Sequence, residues 1–306
     1  MILLMKGLLL GTAHGADAPS SAAISLLAYD EAQALTQAST EPLLLTVSAG
    51  NPSAQNAATQ NSVAERQISE LQKNGALQKL SPEEQKAATA YFKTVPIVSV
   101  QVGQAGHSLA EAFHFIITDS HGKTIPVTVR PLAASAEQAG LVSLDATNTL
   151  SLFFGVDADA LSKLPDDTYT FEARMQVRDA QGKLLPEIPS SPVRVTLKKL
   201  WTEPRMEKIL LNNYKHGRYY LLDHQFAQIE PYVQKMLVND PNSISAYELR
   251  GDALAGQGKL PEAKDAYLKA LNLFDTKYHG QKNVEYPAYL ESRLTDVVQK
   301  LNASSK

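Results

Sequence analysis

The sequence contains no cysteine. This absence excludes disulfide bonds, zinc sites built from cysteine, thiol catalysis and lipid attachment at a cysteine. An excess of charge of one sign is also lacking, because 29 Lys and Arg residues nearly balance 32 Asp and Glu residues and leave a formal net charge of −3. The composition therefore provides no electrostatic basis for binding nucleic acid or an anionic membrane.

Long hydrophobic runs are absent as well. The apolar segment Gly7–Leu10 is far too short for a membrane-spanning helix, and no later segment is suited to one. With Lys6 before it and the small-x-small sequence Ala16-Asp-Ala18 after it, this segment resembles an export signal over residues 1–18. We therefore expect a bacterial periplasmic or secreted protein with no membrane segment after signal removal. The alternative is a disordered N-terminus without a targeting role.

The length predicts two domains, since 306 residues are about twice the usual domain size. Hydrophobic residues make up 44% and charged residues 20%, as in ordinary soluble globular proteins. We place the boundary at the segment Leu200–Pro204, which divides the chain into residues 19–200 and 201–306. Trp201 is expected to be wedged between the two halves.

A hydrophobic period of two runs through residues 97–197, and this period is typical of half-buried β-strands. The clearest strand alternates from Tyr169 to Val177, and the turns Asp119–Gly122 and Asp179–Gly182 separate strands from one another. Pro126 marks its strand as an edge strand or a bulge, because proline has no N–H to donate. The other predicted strands are Ala23–Leu27, Leu43–Val47, Val98–Val102, Phe113–Ile117, Ile125–Val129 and Val193–Leu197. Together they predict an antiparallel β-sandwich.

Residues 50–95 interrupt this pattern and are interpreted as an insertion with a loop over 50–62. Ser81-Pro-Glu-Glu84 is a capping-box start for a helix that continues to Lys93, and a second helix is predicted over 63–73. The alternative is a separate small helical domain in the same segment.

The segment Leu164-Pro-Asp-Asp-Thr-Tyr169 resembles the tyrosine corner of immunoglobulin-like and fibronectin-type domains. The resemblance implies that the phenol of Tyr169 bonds to the backbone just before a central strand. It also implies an Ig-like sandwich that does without the usual disulfide.

Small and aromatic residues recur at fixed positions in the last third of the chain. Tyr247, Gly251, Ala263, Tyr267 and Ala270 occupy the positions at which a tetratricopeptide repeat has an aromatic or small residue. The chain therefore resembles that family over residues 244–277, and less closely over 210–243. The resemblance implies two helical hairpins, with Gly256–Pro261 as a turn, followed by a capping helix over 287–302. An array this short is expected to lean on the preceding domain.

The resemblance also implies a partner-binding groove lined by the first helix of each hairpin. The family register places Tyr214 and Arg218 there from the first unit, and Glu248 and Asp252 from the second. Family members that hold a terminal carboxylate use Lys and Asn at such positions, and this chain lacks that pair. The alternative is that all four are ordinary solvated helix residues.

Motifs for chemistry are not found. Lys259 follows Gly258 as in a phosphate-binding loop, but Ala253 and Leu260 replace residues that such a loop requires. The spacing of the histidines is not that of a zinc helix, and the aspartates around residues 157–167 lack the glycine-bent loop of a calcium site. We predict no catalytic residue, no cofactor and no metal.

These observations predict a multi-domain α+β protein: an Ig-like antiparallel β-sandwich with a helical insertion, followed by an all-α, TPR-like hairpin array. The expected function is that of an exported, non-enzymatic scaffold that binds a protein or peptide through the groove. One alternative is a cell-envelope assembly or adhesion component that acts through an edge of the sandwich. Another is an enzyme whose active site has no sequence motif.

Overall fold

The structure is a computed structural model that describes residues 23–27, 34–51, 100–145, 148–279 and 288–304, and positions 69, 72, 73, 81 and 82. For 23–27 only the backbone is described. Strands are found up to residue 198 and long helices from residue 206 onward, so the described chain is a mixed α+β structure. The predicted export signal lies outside the described residues, as does most of the 50–95 insertion with its two predicted helices.

The described strands are β1 Ala23–Leu27, β2 Ala34–Ala38, β3 Leu43–Gly50, β4 Val100–Ser108, β5 Phe113–Thr118, β6 Arg130–Pro131, β7 Ala139–Leu144, β8 Leu150–Val156, β9 Asp167–Met175, β10 Val177–Arg178, β11 Ile188–Pro189 and β12 Val193–Lys198. They form three sheets, with strand orders β1-β3-β8-β6, β10-β4-β7 and β11-β9-β12-β2; β5 pairs with β9 in the last of these. All pairs are antiparallel except β12 with β2, which run parallel.

One hydrophobic core joins the three sheets. Every second residue from Tyr169 to Val177 is buried in it, as the alternation predicts. The hydroxyl of Tyr169 donates to the carbonyl of Pro165 at 3.0 Å, which is the contact implied by the tyrosine-corner resemblance. The predicted turns are also present, because the Gly122 and Gly182 amides donate to Asp119 and Asp179 carbonyls respectively.

The predicted strand Ile125–Val129 is wrong. After an isolated bridge at Thr124, the chain has no regular strand until β6. Pro126 has no amide to donate, and the Val127 amide bonds to the Ile125 carbonyl within the segment instead of to a neighbouring strand. The strands β2, β7, β8 and β11 were not predicted, for reasons given in the Discussion, and β6 lies just beyond the wrongly predicted strand.

The helical part begins after Trp201 and contains α3 Met206–Leu222, α4 Glu230–Asn239, α5 Ile244–Gly256, α6 Leu260–Tyr278 and α7 Ala288–Ser304; short helices α1 Ala133–Ala136 and α2 Ala158–Ser162 lie between strands. Pro261 is in the first turn of α6, as predicted. Within the described ranges, no helix combines the length and the apolar composition that crossing a bilayer requires.

Helices α5 and α6 cross closely because Gly251 has no side chain. A Cβ at position 251 would lie 2.5 Å from the ring of Tyr267, which is itself fully buried. Ala263 is also fully buried. The turn between the helices contains Gly258 with φ at +76°, in the left-handed region that glycine adopts without strain. The small residues thus permit the close contact between the two helices.

Helix α3 packs on the outer face of β3 and β8, so the helices lean on the sheets as expected. Tyr219 is fully buried there with Leu44 and Leu132. Beside it, Arg130 donates two hydrogen bonds of 2.8 Å to the carboxylate of Asp223. The same guanidinium also pairs with Asp157 at 2.8 Å.

A second contact joins α3 and α4 to the segment before β3. The hydroxyl of Tyr232 donates to Glu41 at 2.7 Å, and the Lys235 ammonium lies 3.4 Å from the same carboxylate. His216 is buried beside Tyr232, at 5.6 Å between ring centroids. Trp201 lies half-buried between the sheets and α3, where we expected it.

Candidate partner-binding face

Six side chains form two rows across three neighbouring helices, and we call this surface the polar face. Helix α3 contributes Tyr214 and Arg218, α5 contributes Glu248 and Asp252, and α7 contributes Tyr289 and Arg293. On each helix the two residues are four positions apart, so that both point to the same side.

The first row is centred on the carboxylate of Glu248. The hydroxyl of Tyr214 donates to its Oε1 and that of Tyr289 to its Oε2, both at 3.1 Å. Glu248 is only 7% exposed. Burial, and after it the charge of Asp252, raises the pKa of Glu248 above its ordinary value, against the opposing effect of the two hydroxyls.

The second row is centred on the carboxylate of Asp252, which is only 4% exposed. Arg293 Nη1 donates to its Oδ1 at 2.7 Å, and so does the hydroxyl of Tyr267 from α6. Its Oδ2 accepts no hydrogen bond within the described residues, and Arg218 Nη1 lies 3.9 Å from it. Burial raises the pKa of Asp252 as well, although Arg293 opposes the shift.

The position of α5 explains why its two acids are buried. This helix lies between α3 and α6: Gly217 of α3 is covered by Leu249, and Gly251 is covered by Tyr267. Helix α7 then closes over the remaining side. The acids therefore receive hydrogen bonds from the helices on both sides and orient the groups above them.

All four predicted groove residues share this face, but they are not equally accessible. Glu248 and Asp252 are buried, so other side chains lie between these two acids and a bound partner. The side chain of Arg218 is 21% exposed and that of Arg293 is 43% exposed. Tyr289 is 50% exposed. Whether the polar face binds a partner stays a prediction.

Tyr289 and Arg293 were missed in the sequence, where α7 was interpreted only as a cap. A signal was present, because Tyr-x-x-x-Arg occurs at Tyr214–Arg218 and again at Tyr289–Arg293. Within the first row, the separation along the sequence is 34 residues from Tyr214 to Glu248 but 41 residues from Glu248 to Tyr289. The longer second interval hides the recurrence from a search at a fixed period.

One group of side chains in the described residues has the composition of a metal site. Ligand atoms of Asp119, His121 and Asp167 lie within 4.8 Å of one another. Both carboxylates already accept backbone hydrogen bonds, Asp119 from His121 and Lys123, and Asp167 from Ser120 and Thr168. The arrangement is thus explained by the turns that it stabilises.

Comparison with known proteins found no matching family model and no matching curated protein. Among solved structures, the chain is similar to AggA, the major subunit of aggregative adherence fimbriae type I from Escherichia coli. That match has 8% identity and a TM-score of 0.27, and covers 59% of this chain and 98% of the fimbrial subunit. A chain named pT26-6p matches with 9% identity and a TM-score of 0.22, over 79% of this chain and 47% of its own length. Superpositions this distant define neither fold nor function.

Proposed function

We propose that this protein is a non-enzymatic interaction protein that holds a protein or peptide partner against the polar face. In this proposal α3 to α7 are a short TPR-like array, and the sheets form an Ig-like sandwich that supports it. Export to the periplasm or the exterior of a bacterial cell belongs to the same proposal.

The recurrence of the two rows carries the proposal. Helices α3 and α7 present the same pair of side chains, Tyr and Arg, and α5 places an acid between them at each of the two levels, which gives the rows Tyr–Glu–Tyr and Arg–Asp–Arg. The buried acids orient two partly exposed arginines and an exposed tyrosine, and so hold these outer groups in place before a partner arrives. Such an arrangement lowers the entropic cost of binding.

The accessible charge of the polar face favours an acidic partner, because its two arginines are more exposed than its two acids. Two guanidiniums, Arg218 and Arg293, share the single carboxylate of Asp252. Arginine binds carboxylates in bidentate fashion, and the exposed ring of Tyr289 offers an apolar surface beside it.

Affinity capture from a native envelope fraction tests the proposal with the full-length chain as bait. We expect Arg218→Gln combined with Arg293→Gln to abolish capture of a defined acidic partner. Arg250→Gln is the matched control, because Arg250 lies on α5 but is paired with Glu230 at 2.6 Å, away from the polar face. Equal recovery of the partner by the double variant and the control would show that this face is not the binding surface.

A second candidate is an envelope assembly component that pairs an edge strand with another subunit. Strand β2 favours it, because in the described residues β2 pairs only with β12 and ends its sheet. A lysine on an edge strand blocks such pairing. Ala34→Lys should therefore abolish assembly under this candidate while it leaves capture through the polar face intact.

A further inference from the structure

A cleft of about 520 Å³ lies between the outer face of the sheet β9-β12-β2 and the segment that leads into α3. It is separate from the polar face, since none of the six residues of that face lines it. Its volume is in the range of small-molecule sites, which often lie where two structural units meet.

The floor of the cleft is a row of hydroxyls beside a guanidinium. Thr36, Thr196 and Thr168 stand abreast on three adjacent strands, because Thr196 is in register with both of the others. The Oγ1 atoms of Thr168 and Thr196 are 2.9 Å apart. Arg194 lies two residues before Thr196, on the same outward side of β12.

The wall of the cleft combines an aromatic ring with further charge. Trp201 and Pro204 provide apolar surface, and Lys208 of α3 lines the cleft beside them. Arg205 is bonded to the buried carboxylate of Glu203 at 3.0 Å. Three cationic side chains less one carboxylate leave the cleft with a charge of +2, in a chain whose net charge is −3.

Arg194 differs from Arg205 in having no such partner. The described residues supply neither a hydrogen bond nor an ion pair to its guanidinium. An exposed arginine beside threonine hydroxyls presents several donors in one direction, and these donors match the oxygens of a carboxylate or a phosphate.

We propose that this cleft binds a small organic anion whose carboxylate or phosphate contacts Arg194 and the threonine row, and whose flat apolar part lies against Trp201. A planar ring on the indole adds contact area at little conformational cost. The proposal is independent of the partner-binding function, because it uses neither the same residues nor the same class of ligand.

Intrinsic fluorescence gives a direct test, since Trp201 is the only tryptophan of the chain. Full-length protein is titrated with benzoate, with phenyl phosphate and with inorganic phosphate, and isothermal calorimetry repeats each titration. We expect a saturable change with at least one of the two organic anions, which shows whether the anionic group is a carboxylate or a phosphate. Its affinity should fall as salt is added.

Arg194→Gln should weaken that binding by about tenfold or more, as expected for loss of a charge-assisted pair. Arg174→Gln is the control, because Arg174 is on β9 but pairs with Glu172 and does not line the cleft. Thr36→Val keeps the shape of the side chain and should weaken binding by about threefold. Circular dichroism checks that each variant is folded. If Arg194→Gln does not fold, the affinity of Thr36→Val decides the test instead.

Three results would each overturn the proposal. The first is the absence of saturable binding by either organic anion. The second is binding of inorganic phosphate alone, because the indole would then have no role. The third is an affinity that the cleft variants leave unchanged or that Arg174→Gln reduces as much as Arg194→Gln does.

Discussion

The ring of Tyr219 lies so close to the backbone of Gly155 that any side chain at position 155 would overlap it. Leu132 Cδ2 closes the same space, at 2.8 Å from where a Cβ would be. Helix α3 therefore sits on the sheet at a distance that only glycine permits. We expect Gly155→Ala to lower the free energy of unfolding by about 1–3 kcal/mol, the usual cost of overpacking, in urea unfolding of the full chain.

Gly50→Ala is the matched control for that change. Gly50 also lies in a strand, but the nearest atom to an added Cβ is Thr149 Cγ2 at an ordinary 3.7 Å. The free energy of unfolding of Gly50→Ala should differ from that of the unmodified protein by less than about 0.5 kcal/mol. Equal losses from the two variants would contradict the assigned role of the Tyr219 contact.

Asp223 is expected to be the main acceptor that ties α3 to the sheet. Its side chain is nearly buried and receives a bidentate pair from Arg130, so Asp223→Asn removes the buried charge and leaves the partly exposed guanidinium with Asp157 as its remaining carboxylate. We expect a loss of about 2 kcal/mol in the free energy of unfolding, the usual range for a hydrogen bond to a charged group, measured by urea unfolding. Asp159 is an exposed aspartate two residues after Asp157 and serves as the control. Asp159→Asn should leave the free energy of unfolding almost unchanged.

The same pair predicts acid sensitivity. Burial alone would raise the pKa of Asp223, but the Arg130 guanidinium outweighs it and holds the pKa below its ordinary value of 3.8. A depressed carboxyl pKa contributes stability above the unfolded-state pKa, and that contribution is lost as pH falls below it. In Asp223→Asn, the free energy of unfolding should therefore vary less with pH below about pH 4 than in the unmodified protein. The same pH dependence in both proteins would contradict the prediction.

His216 predicts a second pH dependence at less acidic values. Burial lowers the pKa of His216 from 6.5 to about 4, although the charge of Glu41 opposes the shift. The folded protein thus holds this imidazole neutral. The contribution of the neutral imidazole to the free energy of unfolding is complete above pH 6.5 and is lost as pH falls from 6.5 through about 4. The shift corresponds to about 3 kcal/mol.

Thermal unfolding between pH 7 and pH 4 measures this effect. His216→Gln should remove the pH dependence in that window, because glutamine does not titrate. His107→Gln is the control, since His107 is exposed and Glu111 is its one ion-pair partner among the described residues. Retention of the full pH dependence in His216→Gln would assign it to another group.

Arg293 and Asp252 should be energetically coupled across α7 and α5. Arg293 is partly exposed, so we expect a coupling free energy of only about 1 kcal/mol in a double-mutant cycle of Asp252→Asn and Arg293→Gln. Urea unfolding of the four proteins provides the cycle. Strict additivity of the two substitutions would mean that their 2.7 Å contact contributes nothing measurable to the docking of α7.

Several strands could be predicted because each has one buried and one solvated face. In β9 and β12 the apolar residues alternate with polar ones, and the sequence of each strand shows this alternation without knowledge of the strands or helices that pack beside it. Strand β8 reads Leu-Ser-Leu-Phe-Phe-Gly-Val instead, because Phe153 and Gly155 face α3 and not solvent. Strands β2 and β11 are short, and β7 contains Gly140, so local preference alone does not indicate a strand there.

The candidate site was predictable to the extent that it repeats. The family register placed all four residues in one groove, and the structure brings them together as Tyr214 with Glu248 and Arg218 with Asp252, each pair 34 residues apart in the sequence. Helix α7 does not follow that interval, so Tyr289 and Arg293 could not be assigned to the same face. The burial of the two acids was also missed, because it depends on the helix that covers them.

Residue types at short and regular spacing were sufficient to predict the alternation of the central strands, the turns and the helical hairpin that contains Gly251, and composition was sufficient to exclude cysteine chemistry. The folded chain was needed to find that Arg130 pairs with Asp223, that Trp201 borders a cationic cleft and that α7 completes the polar face. These contacts join segments far apart in the chain, and no local pattern specifies which distant side chain will be opposite another.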